Sequence, residues 1–351
     1  MRRRKAKNTI HLTDLSTHLG AKIADPLGII MGPTREVAEF LRQRQTPTDV
    51  VYHMDFYNAQ KLEEELQASS VDATIFTAAD LWDLPNPLKT LIYPVPMRGE
   101  RELKLDLLEQ AYHVLEPHGR LIVISPYARD SFFQPALKKL FGKVNMPVVD
   151  GHVLFWCERE KERPRRRHEM TFQVRRPDGD SLRFITRPGT FSYGRFDNGA
   201  RALVEAMEIN PGDKVLDIGC GCGTNGIHAG LRSGEGGRTV FVDSNVRAIE
   251  LTEMNAEANG LTNFHAVVSS EVTESDVGEC DFDVVLANPP YFAQRHIAKL
   301  FIQRASELLR PEGRLYLVTK RPNDIGQFII DYFGDGDWFE HRGYTIMTAV
   351  R

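Results

Sequence analysis

No long apolar run occurs in this sequence. Nothing reaches the roughly 18 consecutive apolar residues that a membrane-spanning helix needs, and the opening MRRRKAKNTIHLTD follows its basic cluster with polar residues where a secretory leader would be apolar. The expectation is an unprocessed cytoplasmic chain with no membrane association. Cysteine is scarce. Cys157, Cys220, Cys222 and Cys280 form no C-x-x-C pair and stand near no histidine at a zinc-like spacing, so neither a disulfide framework nor a metal site is expected. No P-loop signature G-x-x-x-x-G-K-[ST] occurs either, which removes the usual lysine-bearing phosphate cradle. Strong charge of one sign is also missing: the net charge is −4, which argues against a uniformly basic nucleic-acid wrapper.

What is present is a chain of 351 residues, 42% hydrophobic and 26% charged, a size that suits two domains of similar length. The second half alternates short β-rich apolar runs, KVLDIG (214–219), TVFVDS (239–244), FDVVLAN (282–288) and RLYLVT (314–319), with segments of helical periodicity. Strands alternating with helices imply a parallel sheet covered on both faces. The end, WFEHRGYTIMTAVR, reads as two further strands joined at Gly343, and MTFQVRR and SLRFITR around Pro-Asp-Gly-Asp read as a hairpin.

The first half repeats this order. LLEQAYHVLEPHGRLIVIS (107–125) matches FIQRASELLRPEGRLYLVT (301–319), a helix ending at Leu-x-Pro-x-Gly-Arg before a strand, with Gly119 lying 194 residues before Gly313. Upstream, VVYHMDFYNAQKLEEEL matches TVFVDSNVRAIELTEMN at a spacing of 188. Matching elements in a fixed order imply internal duplication. At those spacings Ile29, Met31, Pro33 and Arg35 stand where the second half has Asp217, Gly219, Gly221 and Gly223, and Pro94-Val95-Pro96-Met97 stand where it has Asn288-Pro289-Pro290-Tyr291. The fold class expected is therefore α/β, two tandem Rossmann-like domains of which the N-terminal copy is degenerate. The boundaries are 1–160 for that copy, 161–168 for a basic linker containing Arg165, Arg166 and Arg167, and 169–351 for the domain that retains chemistry. The arginines and the first domain are expected to position RNA through its phosphates.

Asp217-x-Gly219-x-Gly221-x-Gly223 lies directly after one strand and before a helix. Glycines there permit a tight turn and a close backbone approach to a nucleotide-like ligand at the carboxyl end of a parallel strand. Asp243 ends the next strand, where a carboxylate can accept both hydroxyls of a ribose. Asn288-Pro289-Pro290-Tyr291 follows a third strand. Its prolines fix φ and remove N–H donors, so the Asn288 side-chain oxygen and a backbone carbonyl can project together and grip a planar amino group. Tyr291 offers a face on which an aromatic base can stack.

The two motifs together resemble the class I S-adenosylmethionine-dependent methyltransferases that modify amino nitrogens. More narrowly, Arg187-Pro-Gly189-Thr-Phe191-Ser and Asp197-Asn-Gly199-Ala resemble the segment before the first strand in the ribosomal RNA small-subunit methyltransferase C family. That family makes N2-methylguanine and, like its large-subunit relative G, carries a degenerate N-terminal methyltransferase domain. The resemblance covers nearly the whole chain. It assigns Asp217, Gly219, Gly221 and Gly223 to the methionine end of S-adenosylmethionine, Asp243 to its ribose and Ser270 or Glu271 to its adenine edge. Asn288, Pro289, Pro290 and Tyr291 would hold the target amine, and Phe191, Asp197 and Asn198 would close over cofactor or base. The implied activity is methylation of guanine N2 in ribosomal RNA. Tyr291 stands where the relatives often have Phe and is equally usual in adenine-N6 and glutamine-N5 enzymes, so those targets remain open, as does a non-catalytic RNA-binding assembly factor.

Overall fold

The structure is a computed structural model and describes residues 12–13, 23–127, 130–149, 152–176, 179–278, 281–290 and 295–351. The chain divides into two compact units, Met1–His168 and Glu169–Arg351. The first carries β1 (Leu27–Ile30), α1 (Thr34–Arg44), β2 (Val50–His53), α2 (Phe56–Ala68), β3 (Thr74–Thr77), β4 (Leu88–Pro94), α3 (Arg101–Val114), β5 (Leu115–Ile124), α4 (Phe133–Phe141), β6 (Val148–Val149) and β7 (His152–Glu158). The second carries β8 (Met170–Arg175), β9 (Ser181–Thr186), α5 (Asn198–Ala206), β10 (Lys214–Ile218), α6 (Thr224–Ser233), β11 (Arg238–Asp243), α7 (Val246–Ala258), β12 (Phe264–Val268), α8 (Glu274–Val277), β13 (Phe282–Ala287), α9 (Arg295–Leu308), β14 (Leu309–Thr319), α10 (Pro322–Phe333), β15 (Asp337–His341) and β16 (Tyr344–Val350).

Each unit is built on a seven-stranded sheet of Rossmann-like form. The orders are β3-β2-β1-β4-β5-β7-β6 and β12-β11-β10-β13-β14-β16-β15. The first five strands of each sheet pair in parallel and the last two run antiparallel. Strand order reverses beside β1 and beside β10, which opens a crevice at the carboxyl ends of the central strands. The hairpin suggested by MTFQVRR and SLRFITR forms as β8 and β9, a separate two-stranded sheet in the second unit.

Side chains alternate across β10, and that alternation decides what faces what. Leu216 and Ile218 join a core with Ile302 and Leu308 of α9 and Ile325 and Ile329 of α10. Val215 joins the opposite core with Leu203 of α5 and Ala229 of α6. Asp217 shares the Val215 face and is 1% exposed, so a carboxylate is carried into the sheet beneath α6.

Two details depart from the sequence reading. The helices end where LEPHGR and LRPEGR begin, at Val114 and Leu308, but those segments do not precede the strands. They lie inside β5 and β14, and each produces a shift of register against its neighbour, between Leu88 and Thr90 in one unit and between Phe282 and Val284 in the other. The second concerns β2 and β11. Register relates Gly28 to Val50 and Leu216 to Val240, and α2 begins at Phe56 where α7 begins at Val246, so these segments correspond at a spacing of 190 and not 188. His53, the last residue of β2, therefore stands where β11 has Asp243, and Asp55 stands where α7 has its cap Asn245.

Residues 161–168, read above as a linker, fall within the first unit and are fastened to it. Arg163 donates to the carbonyls of Lys139 and Leu140. Arg165 and Arg167 each lie 5.4 Å from the centre of the Trp82 ring, and Arg167 Nη1 is 3.1 Å from Oδ2 of buried Asp80. Arg166 is exposed. Among the described residues no helix is long and apolar enough to cross a membrane.

Candidate active site

The site is built from the ends of β10, β11, β12 and β13 and from the segment leading into α5. After β10 the chain turns through three left-handed residues, Gly219, Gly221 and Gly223, with φ of 71°, 61° and 84°. At Gly219 both conformation and space demand glycine, since a Cβ would stand 2.9 Å from the Phe301 ring. Gly221 differs. A Cβ there would meet only Cβ of Phe191 at 3.7 Å, so the constraint is the backbone angle, and the peptide presents a bare surface to the crevice.

Asp217 is not in the open crevice. It sits under the turn and accepts the Gly226 N–H of α6 at 2.8 Å. Burial pushes its carboxyl up to about 7, against the lowering effect of that N–H, and the nearby Asp243 pushes in the same direction as burial. Asp243 is half-buried at the end of β11. Its two oxygens accept from Gly221 N and from Asn245 N, each at 2.9 Å, so one carboxylate ties the glycine turn to the next helix.

Sequence reasoning missed the residues that hold this loop. Asn255 of α7 is fully buried. Its Nδ2 donates to the carbonyls of Ile185 and Cys222, both at 2.9 Å, and its Oδ1 accepts from Ile185 N at 2.7 Å. Thr252 donates to the Gly221 carbonyl at 3.1 Å, and buried Arg247 donates to the Pro188 carbonyl. Asn245 Nδ2 reaches the Gly189 carbonyl at 2.8 Å. One face of α7 thus fastens both the glycine turn and the segment from Pro188 onward. The only sequence signal would have been polar residues at helical spacing on a face that must be buried.

After β12, buried Ser269 accepts from the backbone N–H groups of Glu271 and Val272 and donates to Asp276 Oδ2 at 2.8 Å. This fixes the loop carrying Ser270, which is half-buried, and Glu271, which is exposed with Oε2 3.7 Å from Arg304. Ser269 is a positioning residue that the sequence reading passed over in favour of its neighbours.

The segment before α5 does reach the site. Phe191 is 47% exposed beside Gly221. Phe196 stacks with Phe172 of β8 and His228 of α6, with interplanar angles of 14° and 6°. Asp197 follows directly and caps α5, accepting from Ala200 N at 2.9 Å. Its same oxygen lies 3.4 Å from Nδ2 of Asn288, which directly follows β13. Asn198 is exposed at the first turn of α5. Pro289 is buried and Pro290 exposed beyond Asn288, while Tyr291 lies outside the described residues. The structure therefore brings Gly219, Gly221, Gly223, Asp243, Phe191, Asp197 and Asn288 to one end of the sheet. Arg165, Arg166 and Arg167 belong to the first unit.

The crevice can be tested for a nucleoside-like cofactor bearing an amino acid. It offers a bare glycine surface, a carboxylate at the end of the neighbouring strand, and the exposed Phe191 ring beside them. Ser192, next to that ring, holds a buried Oγ without a hydrogen-bond partner. These features fit such a group. Among the described residues no cluster of three or more His, Cys, Asp or Glu is arranged to hold a metal ion.

A family model, the methyltransferase small domain, matches residues 181–348. Ribosomal RNA small subunit methyltransferase C of Chromohalobacter salexigens is 33% identical over 182 residues, covering 48% of this chain and 52% of the relative. The uncharacterized protein YbxB of Bacillus subtilis is 32% identical over 155 residues, covering 43% of this chain and 73% of the relative. A solved 16S rRNA N2 methyltransferase of T. thermophilus, in complex with AdoMet and guanosine, superposes with a TM-score of 0.74 at 22% identity, covering 97% of this chain and 91% of that one. The chain spans about half the length of such small-subunit methyltransferase C relatives. Fold and family match agree on a Rossmann-like domain of methyltransferase type. Within that class the chain belongs to the methyltransferase small domain family.

Proposed function

We propose that this chain transfers a methyl group from S-adenosylmethionine to the N2 amino group of guanine in ribosomal RNA. The observation that carries the reading is the meeting of Asp197, Asn288 and the glycine turn at one crevice. Relatives named as ribosomal RNA methyltransferases, and the solved neighbour bound to AdoMet and guanosine, favour this target over adenine N6 or glutamine N5.

Gly219, Gly221 and Gly223 would hold the methionine end of the cofactor, Asp243 its ribose, and Ser270 or Glu271 its adenine edge, with Asn198 at the mouth. When bound, such a cofactor supplies an electrophilic methyl group on sulfur. The protein's contribution is alignment. Asn288 Oδ1 and the Pro289 carbonyl accept the two N–H bonds of the target amine, and a nitrogen held by two acceptors is favoured as it becomes pyramidal. The proton released after transfer goes to water. Phe191 and Tyr291 supply ring faces for the base, which must be single-stranded or flipped out to reach them.

The identical strand orders support descent of the two units from a duplication, and Ile29, Met31 and Pro33 in place of Asp217, Gly219 and Gly221 support loss of the cofactor loop in the first copy. Its role in this reading is RNA positioning, assisted by the exposed Arg165 and Arg166. Reversing those two charges should weaken RNA binding and flatten its salt dependence. The function itself is tested by nucleoside mass analysis of ribosomal RNA from cells with and without the gene. Loss of one N2-methylguanosine supports the reading, and an unchanged profile opposes it.

A further inference from the structure

The first unit contains a cavity of about 480 Å³ at its own topological switch point. It is lined by His53, Asp55, Glu36, Tyr93, Pro94 and Pro96 among others, all from the ends of β2 and β4 and the starts of α1 and α2. A loop that had only lost its ligand would be expected to close over its apolar lining. This one remains open, and its volume falls within the range of small-molecule sites, about 300–1,000 Å³.

Its chemistry differs from that of the crevice in the second unit. Where that crevice has Asp243, this one has His53, which is 3% exposed. His53 Nε2 is buried and has no hydrogen-bond partner. An unpaired buried nitrogen carries a desolvation cost that a ligand pairing with it removes. Burial lowers the imidazole to about 4 despite the opposing charge of Asp55, so the ring is neutral at physiological pH and carries one donor and one acceptor. Two carboxylates, Glu36 and Asp55, line the same space and disfavour an anion. His53 offers this space a polar partner for the edge of an uncharged ring. Pro94, Pro96 and Tyr93 provide apolar walls for the faces of such a ring. Met31 and Pro33 in place of glycines, and the missing acid of β1, leave nothing to receive the amino-acid end of S-adenosylmethionine.

We infer that the first unit is a second ligand site, which takes an uncharged nucleobase and pairs its polar edge with His53. The choice of a nucleobase among flat N–H-bearing rings rests on the reading of this chain as an RNA methyltransferase. The base arrives either as a free nucleoside or as a nucleotide extruded from the RNA. In both cases the phosphate stays outside the carboxylate-lined cavity.

The test uses the full chain saturated with S-adenosylhomocysteine, so that cofactor binding in the second unit is scored separately. Histidine NMR spectra are recorded on adding guanosine, adenosine, cytidine or uridine, and on adding a single-stranded oligoribonucleotide. His53 is assigned by comparison with His53→Phe, which keeps an aromatic ring and removes the nitrogens. A His53 shift with a free nucleoside, and at least tenfold weaker binding of that nucleoside to His53→Phe with S-adenosylhomocysteine affinity unchanged, is the expected result. A His53 shift with the oligoribonucleotide alone assigns the ligand to an RNA-borne base. If neither addition moves the His53 signal while S-adenosylhomocysteine still binds, the inference is overturned and the methyltransferase reading stands. Should His53→Phe fail to fold, the wild-type spectrum alone decides, with His53→Gln used for assignment.

Discussion

Asn288 and Asp197, 91 residues apart in sequence, meet through Nδ2 and Oδ2 at 3.4 Å. The same oxygen of Asp197 caps α5 through Ala200 N. One carboxylate thus serves the fold and meets the amide nitrogen of Asn288. Asp197→Asn preserves a good helix cap but no longer dictates which end of Asn288 faces it. Turnover should fall about tenfold, with melting temperature and S-adenosylhomocysteine affinity nearly unchanged. An equal kcat would show that the contact does not orient the amide.

Asn288→Ala removes the acceptor altogether. Removing a single well-placed polar group from an active site costs on the order of 10²–10³ in kcat. The loss should appear in kcat, with S-adenosylhomocysteine affinity held within about twofold. If cofactor affinity fell in parallel with turnover, Asn288 would be part of the cofactor site instead.

Asn255→Ala removes the donor to the Ile185 and Cys222 carbonyls and the acceptor for Ile185 N. Buried groups left unpaired cost about 1–3 kcal/mol each. Urea unfolding of the variant should show that loss, and cofactor binding should weaken because the glycine turn is no longer held. Wild-type stability in this variant would mean that α7 does not secure the loop.

Much of this architecture could be read from the sequence because it is periodic. The strands at KVLD, TVFV and FDVV, the closing hairpin and the repeat of element order all rest on apolar pattern, and the glycine turn and Asn-Pro-Pro announce themselves by composition. Side chains that work by long-range pairing could not be read. Nothing in the sequence tells that Asn255 reaches β9, or that Asp197 faces Asn288. The offset error at β2 has the same root, since apolar matching is insensitive to a shift of two residues on an alternating strand, and only the helix start at Phe56 exposes His53 as the counterpart of Asp243. The loop's spacing alone was ambiguous too. Gly221, Gly223 and Gly226 also satisfy G-x-G-x-x-G, and Gly226 lies buried against Phe241 and Asp217, the helix-packing role of the third glycine in that pattern.

The buried carboxyl of Asp217 predicts a pH dependence of stability. Its folded value, about 7, exceeds the roughly 4 of an unfolded chain, so between these values the folded state binds the extra proton. Stability contributed by this group is therefore greatest below about pH 4 and declines as pH rises to about 7. Asp217→Asn removes the decline. Without ligand, the melting temperature of the variant relative to wild type should be higher at pH 8 than at pH 5. A difference independent of pH would contradict the assignment.

The central claim is methyl transfer to guanine N2 at the Asn288 crevice. The measurement that tests it most directly incubates the purified chain with ribosomal RNA and S-adenosylmethionine carrying a deuterated methyl group, followed by digestion and mass analysis of the nucleosides. The account predicts label in N2-methylguanosine at one position, abolished by Asn288→Ala. Label in N6-methyladenosine, or RNA left unlabelled while the cofactor is bound, would contradict it.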